Sequence, residues 1–314
     1  SSSLYIWQNS PVKLAGLGLF FMGIFKFGSL IKYIPYTITT GFTAGIAVTI
    51  FIGQIKDFLG ITYLSGIKPI ETIEKIEANI HAIGTFSWQA LLVGAVSLAI
   101  LIIYPKFEKK VPPSLIAVVV GALMVKFIPG LDSGVFTIGD LYTIPSGFPQ
   151  FALTDMEFNF SKVSAVLPDA FTIAILAAIE SLLSCVVADS MVHSRHNSNA
   201  ELVAQGVGNI ASVLFGGIPA TGAIARTAAN AKNGGRTPVA GMVHAVVLLL
   251  VLLFLMPLAG LIPMPTIAAI LFMVAYNMSE WKKFVHILKA APKNDIIVMV
   301  ITFGLTVVFD LVVA

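Results

Sequence analysis

Apolar runs long enough to cross a bilayer recur along this chain, separated by short polar connections. A helix needs about 20 apolar residues to cross the hydrocarbon core, fewer where it bends or breaks. By that measure nine spans are predicted: Pro11–Ile31, Tyr36–Ile55, Trp88–Tyr104, Ser114–Ile128, Ala165–Ala188, Leu202–Leu214, Val239–Leu261, Pro265–Tyr276 and Asp295–Val313. The stretch Thr221–Ala231 is also apolar but has only half the required length, and is read as a half-helix. The polar stretch Ser65–Thr85 carries Ile70, Ile73, Ile76 and Ile80, a spacing that predicts an amphipathic surface helix with a packing role.

Composition turns these runs into an environment. Hydrophobic residues make up 57% of the chain and charged residues 11%, where a soluble domain carries roughly 25% charged residues to keep its surface wet. Most of the surface therefore faces lipid. Apolar runs of the length a helix needs to cross the bilayer then make the fold all-α and multi-span. The net charge of +3 is too small to point to nucleic acid.

Charge placement then sets orientation. Basic connections hold Lys26 with Lys32, Lys106 with Lys109 and Lys110, Arg195, Lys232 with Arg236, and Lys282, Lys283, Lys289 and Lys293. They alternate with the acidic or neutral connections Gln54–Ser87 and Pro129–Lys162. The positive-inside rule places the basic set in the cytoplasm, with the half-helix returning to the side it approaches from. The lone cysteine, Cys185, lies in an apolar run and offers no disulfide framework. Ser1–Pro11 lacks a signal-peptide pattern and leads straight into an apolar run, as expected of a piece of a larger protein.

Ionisable groups inside a membrane are costly, at roughly 2.5–3.5 kcal/mol on insertion scales. Glu180, in AILAAIESLLSCVVAD, is the clearest. Ser184 lies one turn further on the same face, with Ser181 adjacent. A carboxylate beside hydroxyls is suited to binding Na⁺ or to carrying a proton. The structural alternative is a neutral glutamic acid tying two helices together.

The second feature is FGGIPATGAIARTAANAKNGG, Phe215–Gly235. Pro219 forbids a continuous helix, so a fresh one is expected to begin near Ala220–Gly222 with Thr221 as its cap. Its unpartnered amides and dipole suit an anion. Gly222, Ala223 and Ala225 let a substrate approach the backbone, and Arg226 adds a full positive charge. The candidate anion site is thus Thr221, Gly222, Ala223 and Arg226, unless the break merely packs small residues between helices.

Other groups weigh less. Asp189, His193, Arg195 and His196 match no closed metal-ligand spacing and read as a cytoplasmic loop. His81, His244 and His286 are read as helix-end residues, Asn233-Gly234-Gly235 as a turn and Asp310 as interfacial. No nucleophile–base pairing or phosphate loop supports an enzyme. A weak internal echo joins Leu30–Val48 to Gly260–Tyr276, each with Ile-Pro before an apolar run. It is consistent with inverted repeats, or with Ile-Pro simply breaking membrane helices.

Ile179–Ser190, Arg195–Ile210, Phe215–Gly241 and Ile34–Val48, together with NMSEWKKF and APKNDIIVMVITFGLTVVFD, resemble the SulP family of sulfate-permease-type anion transporters. Within that family the chain looks closest to bacterial dicarboxylate and bicarbonate members.

The resemblance implies seven-plus-seven inverted repeats, a core domain moving against a gate domain, and an anion held between two facing half-helices. It implies a cation-coupling role for Glu180 with Ser184, Na⁺ or H⁺ as coupling ion, and no other cofactor or metal. Gly222 and Ala223 match the backbone anion site, and Arg226 the basic residue behind it. On this reading residues 1–314 are a transmembrane transport domain without the family's first three spans, last span and C-terminal STAS-type domain.

The expected function is cation-coupled secondary transport of sulfate, bicarbonate or dicarboxylate by alternating access, in a bacterial inner membrane. The expected partners are the small anion, the lipid bilayer and a second copy in a full-length homodimer, with no nucleic acid. A nucleobase or ascorbate carrier of the same architecture, or an uncoupled channel or motor-like member, are the alternatives.

Overall fold

A computed structural model of the chain describes residues 15–28, 36–63, 69–108, 111–142, 148, 151, 160–232 and 234–308. Their regular structure is helical. In chain order the helices are α1 (Ala15–Ile24), α2 (Tyr36–Leu59), α3 (Thr72–His81), α4 (Trp88–Ile103), α5 (Pro113–Phe127), α6 (Ile138–Leu141) and α7 (Phe160–Val192). They continue with α8 (Ser198–Leu214), α9 (Ile224–Lys232), α10 (Val239–Ala259), α11 (Met264–Met278), α12 (Trp281–Ala290) and α13 (Lys293–Val308). Thr37–Leu59, Trp88–Lys106, Leu167–Asp189 and α10 are long and apolar enough to cross a membrane. The described residues thus bear out the all-α membrane class.

Local chemistry sets the ends. Ser87 caps α4 by accepting from the Ala90 amide, and Asn197 caps α8 by accepting from the Asn199 and Ala200 amides. Thr137 and Asp140 form a capping box on α6. Hydrogen bonds from the Thr137 amide and hydroxyl hold the exposed Asp140 carboxyl below its ordinary range. α10 widens to a π-helix over Val251–Leu255, just before Pro257, which has no N–H to continue the α-helical ladder.

The chain divides into two compact units: residues 1–34 with 147–248, and residues 35–146 with 249–314. The division falls within α10. In the first unit, α1, α7 and α8 share a core of Ala15, Leu19, Ala170, Ala174, Ala177, Ala178, Leu182 and Leu202. Lipid tails are as apolar as leucine, so membrane helices associate through close packing and hydrogen bonds rather than by leaving water. Gly206 shows the consequence, because a Cβ there would lie 2.6 Å from the Phe20 amide nitrogen of α1.

In the second unit, α2 packs on α11 and α13. A Cβ at Gly41 would meet the Met299 carbonyl oxygen, and one at Gly45 would lie 2.6 Å from the Thr306 Cβ. Phe272 stacks on Phe51 at 4.4 Å and tilts against Phe58 at 4.9 Å. The two helices of the Ile-Pro echo, α2 and α11, are therefore direct neighbours. Between α4 and α11 the buried hydroxyls of Ser97 and Thr266 bond at 2.9 Å.

Several expectations change. α7 runs through Pro168 and is longer than the span Ala165–Ala188. α3 buries Thr72, Ala78 and Asn79, whereas Ile70, Ile73, Ile76 and Ile80 are exposed. The isoleucine stripe therefore does not pack on the protein; it points outward, as an interfacial helix directs its apolar face to lipid. The basic connection after α11 contains α12, a helix that its lysines conceal in the sequence. His244 and His286 lie inside α10 and α12, while His81 does end α3. Asn233 and Asp310 lie outside the described residues, as do the outer parts of the first and last spans.

Candidate functional site

The site is built at the break between α8 and α9. α8 ends at Leu214 with Phe215 as its C-cap, and Gly216 follows at φ 72°, a left-handed conformation that glycine adopts without penalty. The Gly216 amide donates to the Val213 carbonyl and the Gly217 amide to the Ser212 carbonyl, closing the helix end. Pro219 then bars helix, and residues 217–223 run without regular structure.

Such backbone is tolerated at membrane depth only where protein groups satisfy it. α8 supplies them. Asn209, itself buried, accepts from the Ala220 amide at 2.8 Å and donates back to the Ala220 carbonyl at 3.1 Å. Gln205 donates to the same carbonyl. The Ser212 hydroxyl donates to the Ile218 carbonyl at 3.0 Å.

α7 supplies the other wall. The Thr221 hydroxyl donates to Glu180 Oε2 at 2.7 Å. The Gly222 amide donates to Ser181 Oγ at 3.1 Å, and the Ser184 hydroxyl donates to Thr227 Oγ1 at 2.7 Å. Residues 180, 181 and 184 fall on one side of a helix by its 3.6-residue repeat, so one face of α7 meets the break. Ser181 and Ser184 are buried, and Glu180 is half-buried.

The half-helix starts later than the sequence predicts, at Ile224 rather than near Ala220–Gly222. Thr221 does not cap it, because a helix that begins at Ile224 puts the cap position at Ala223, two residues further on. The first bond associated with α9 runs from the Thr227 amide to the Ala223 carbonyl at 3.0 Å. The amides of residues 224–226 thus precede the helical ladder and carry the positive end of the dipole.

All six predicted site residues lie at this junction. Thr221, Gly222 and Ala223 form the extended entry to α9, Glu180 and Ser184 face it from α7, and Arg226 lies in its first turn. The separation into cation and anion residues is less sharp than expected, since Thr221 is bonded to the acid. Arg226 is exposed and forms no ion pair among the described residues.

Sequence reasoning passed over Gln205, Asn209 and Thr227, and noted Ser181 only as a neighbour. The i, i+4 spacing of the amides Gln205 and Asn209 within an apolar span was the available signal. Beyond the junction, Asp189 accepts from His196 Nδ1 at 2.7 Å and from Ser194 at 2.9 Å. Among the described residues, no group of three or more His, Cys, Asp or Glu side chains could hold a metal ion.

A model of the sulfate permease family matches residues 11–302. The chain belongs to the sulfate permease family. It is 44% identical over 307 residues to the putative sulfate transporter YvdB of Bacillus subtilis, covering 96% of this chain and 56% of that protein. It is 36% identical over 306 residues to the bicarbonate transporter BicA of a Picosynechococcus species, covering 96% and 52%. The chain thus spans about half the length of these curated relatives, which carry transporter rather than enzyme names.

Among solved structures it resembles the transmembrane domain of a cyanobacterial BicA, with a TM-score of 0.82 at 32% identity over 99% of this chain and 76% of that one. The structure of SLC26A9 shares the fold at 19% identity, with a TM-score of 0.81, over 98% of this chain and 48% of that one.

Proposed function

We propose that this chain is the central membrane part of a secondary active transporter of small anions, coupled to Na⁺ or H⁺ by alternating access. The observation that carries the proposal is the hydrogen bond from Thr221 to Glu180, which joins an intramembrane acid to the entry of a half-helix. The amides of residues 224–226, which precede the helical ladder, and the Arg226 guanidinium receive the anion. Gly222 lets the entry pack against α7, since a Cβ there would lie 3.4 Å from the Ser181 Cα and the Ser184 Cβ.

The carboxylate of Glu180, with the hydroxyls of Thr221 and Ser184, receives a Na⁺ or a proton. An anion at the half-helix and an uncompensated carboxylate repel one another in a medium of low dielectric. Neutralising Glu180 therefore favours anion binding, and the bound anion favours the cation in return.

Helix amides recognise sulfate, bicarbonate and carboxylate by the same geometry, so the substrate class is small oxyanions and dicarboxylates. The relatives' names, sulfate and bicarbonate transporters, support that class. The full-length protein is read as a multi-pass homodimer of a bacterial inner membrane.

The test is uptake of sulfate, bicarbonate and succinate by the full-length protein in vesicles, under an imposed Na⁺ or pH gradient. One of these anions accumulates under one gradient, and Arg226→Ala raises its KM about tenfold, within the usual cost of losing a charged hydrogen-bond donor. Competition by uracil instead of the anions, or an unchanged KM in Arg226→Ala, contradicts the reading.

A further inference from the structure

Helix α12 carries two faces of different chemistry. Lys282, Lys289 and the adjoining Lys293 are all exposed, and among the described residues none of the three is in an ion pair. Lys283 is occupied, donating to Glu280 at 2.6 Å. By the 100° repeat of a helix, Lys282 and Lys289 lie within about 20° of each other, and Trp281 and Leu288 share a second face about 100° away.

That apolar face is only partly covered. Phe284 tilts against Phe303 of α13 at 5.3 Å, whereas Trp281 is 48% and Leu288 38% exposed. The Trp281 indole N–H lies 3.4 Å from the hydroxyl of the exposed Tyr276 at the end of α11. Aromatic residues with one apolar and one polar end settle at the headgroup level of a bilayer. The left-handed Glu280, at φ 41°, makes the turn that separates α12 from the spanning helix before it.

We propose that α12 is an interfacial anchor whose Lys282 and Lys289, with Lys293 at the start of α13, bind the phosphate headgroups of anionic phospholipids, with Trp281 and Leu288 set into the adjoining acyl boundary. Charge complementarity selects this occupant. Basic connections face the cytoplasm, and the cytoplasmic leaflet carries the anionic lipids. A neutral lipid covers Trp281 and Leu288 equally well but leaves three lysines without counter-charge. The proposal concerns the second compact unit alone and is independent of the transport reading.

The experiment measures lipid binding to the full-length protein by native mass spectrometry in detergent doped with phosphatidylglycerol or phosphatidylcholine. The wild type is expected to retain phosphatidylglycerol preferentially, and the preference should shrink with salt. Each lysine near a charged surface contributes about fivefold, so Lys282→Gln/Lys289→Gln/Lys293→Gln should lose a preference on the order of 100-fold. The corresponding triple Lys→Arg variant should keep it, which separates charge from misfolding.

In a background with every tryptophan but Trp281 replaced by phenylalanine, Trp7 and Trp88 among them, brominated phospholipids should quench Trp281 most strongly when the bromines lie high in the acyl chain. Equal retention of both lipids by the wild type, a preference that survives the Gln variant, or an unquenched Trp281 would each overturn the proposal. A preference displaced by millimolar inorganic phosphate alone would overturn it as well, by reducing the site to a soluble-anion contact.

Discussion

The α2–α11–α13 bundle and the α7–α8–α9 junction are built from the same small and hydroxylated residue types, used in opposite ways. In the bundle, Gly41 and Gly45 let α2 close on the backbone and side chains of α13, and the Ser97–Thr266 pair satisfies itself between α4 and α11. At the junction, Glu180, Ser181, Gln205, Asn209 and Ser212 are spent on a stretch of chain that Pro219 keeps out of helix. Their bonds fix the irregular segment ahead of α9, whose first amides lie outside the helical ladder. The lesson concerns placement: small residues in an unbroken helix bring backbones together, while the same residues around a break expose one.

The largest effect that sharpens this contrast should come from closing space between α2 and α13. Gly41→Leu drives a side chain into the Met299 carbonyl, and overpacking of this kind costs at least about 1–3 kcal/mol. The melting temperature of the purified protein should fall by several degrees or the variant should fail to express. Gly53, on the same helix, faces open space. Gly53→Ala should leave the melting temperature unchanged or raise it slightly, since alanine in a helix is favoured by about 0.5–1 kcal/mol. Equal effects at the two positions would break the reading of α2 as a close-contact helix.

A comparable effect, read as affinity rather than stability, is expected at the junction. Asn209→Ala leaves the Ala220 amide without its partner, at a cost of about 1–3 kcal/mol. Anion affinity should drop about 5- to 100-fold while the melting temperature changes little, because the penalty is relieved by letting the segment move. A large thermal loss with unaltered affinity would make Asn209 a packing residue instead. The smallest effect belongs to Ser97→Ala, which removes one hydroxyl of the buried pair with Thr266. Hydrogen bonds between membrane helices average about 0.6 kcal/mol, so a shift of a degree or two in melting temperature is expected.

Much of this is legible in the chain itself. Run length and the scarcity of charge are dictated by the bilayer, so the apolar spans read well from the sequence. Glu180 and Pro219–Arg226 stand out because each violates the rule of its surroundings, one by charge and one by helix breaking. The start of α9 does not, because Pro219 marks where helix must stop but not where it resumes, and the bonds from Thr221 and Gly222 to α7, which hold the stretch before Ile224, come from residues distant in sequence. The outward isoleucines of α3 mislead for a related reason. A period of three to four residues reports that one face is apolar, but lipid and protein both satisfy an apolar face. α12 carries a helical signal in Trp281, Phe284, Val285 and Leu288, masked by lysines that read as a connection.

The central claim is that Glu180 and the entry to α9 form one linked site. Its most direct test is equilibrium anion binding to the full-length protein across a range of Na⁺ concentrations and pH, in the wild type and in Glu180→Gln. The account predicts that Na⁺ or H⁺ tightens anion binding in the wild type by a factor in the usual allosteric range, about 5- to 150-fold. The anion should tighten cation binding by the same factor, and Glu180→Gln should bind the anion with no cation dependence. Anion binding indifferent to both cations in the wild type, or an undiminished cation dependence in Glu180→Gln, would contradict it.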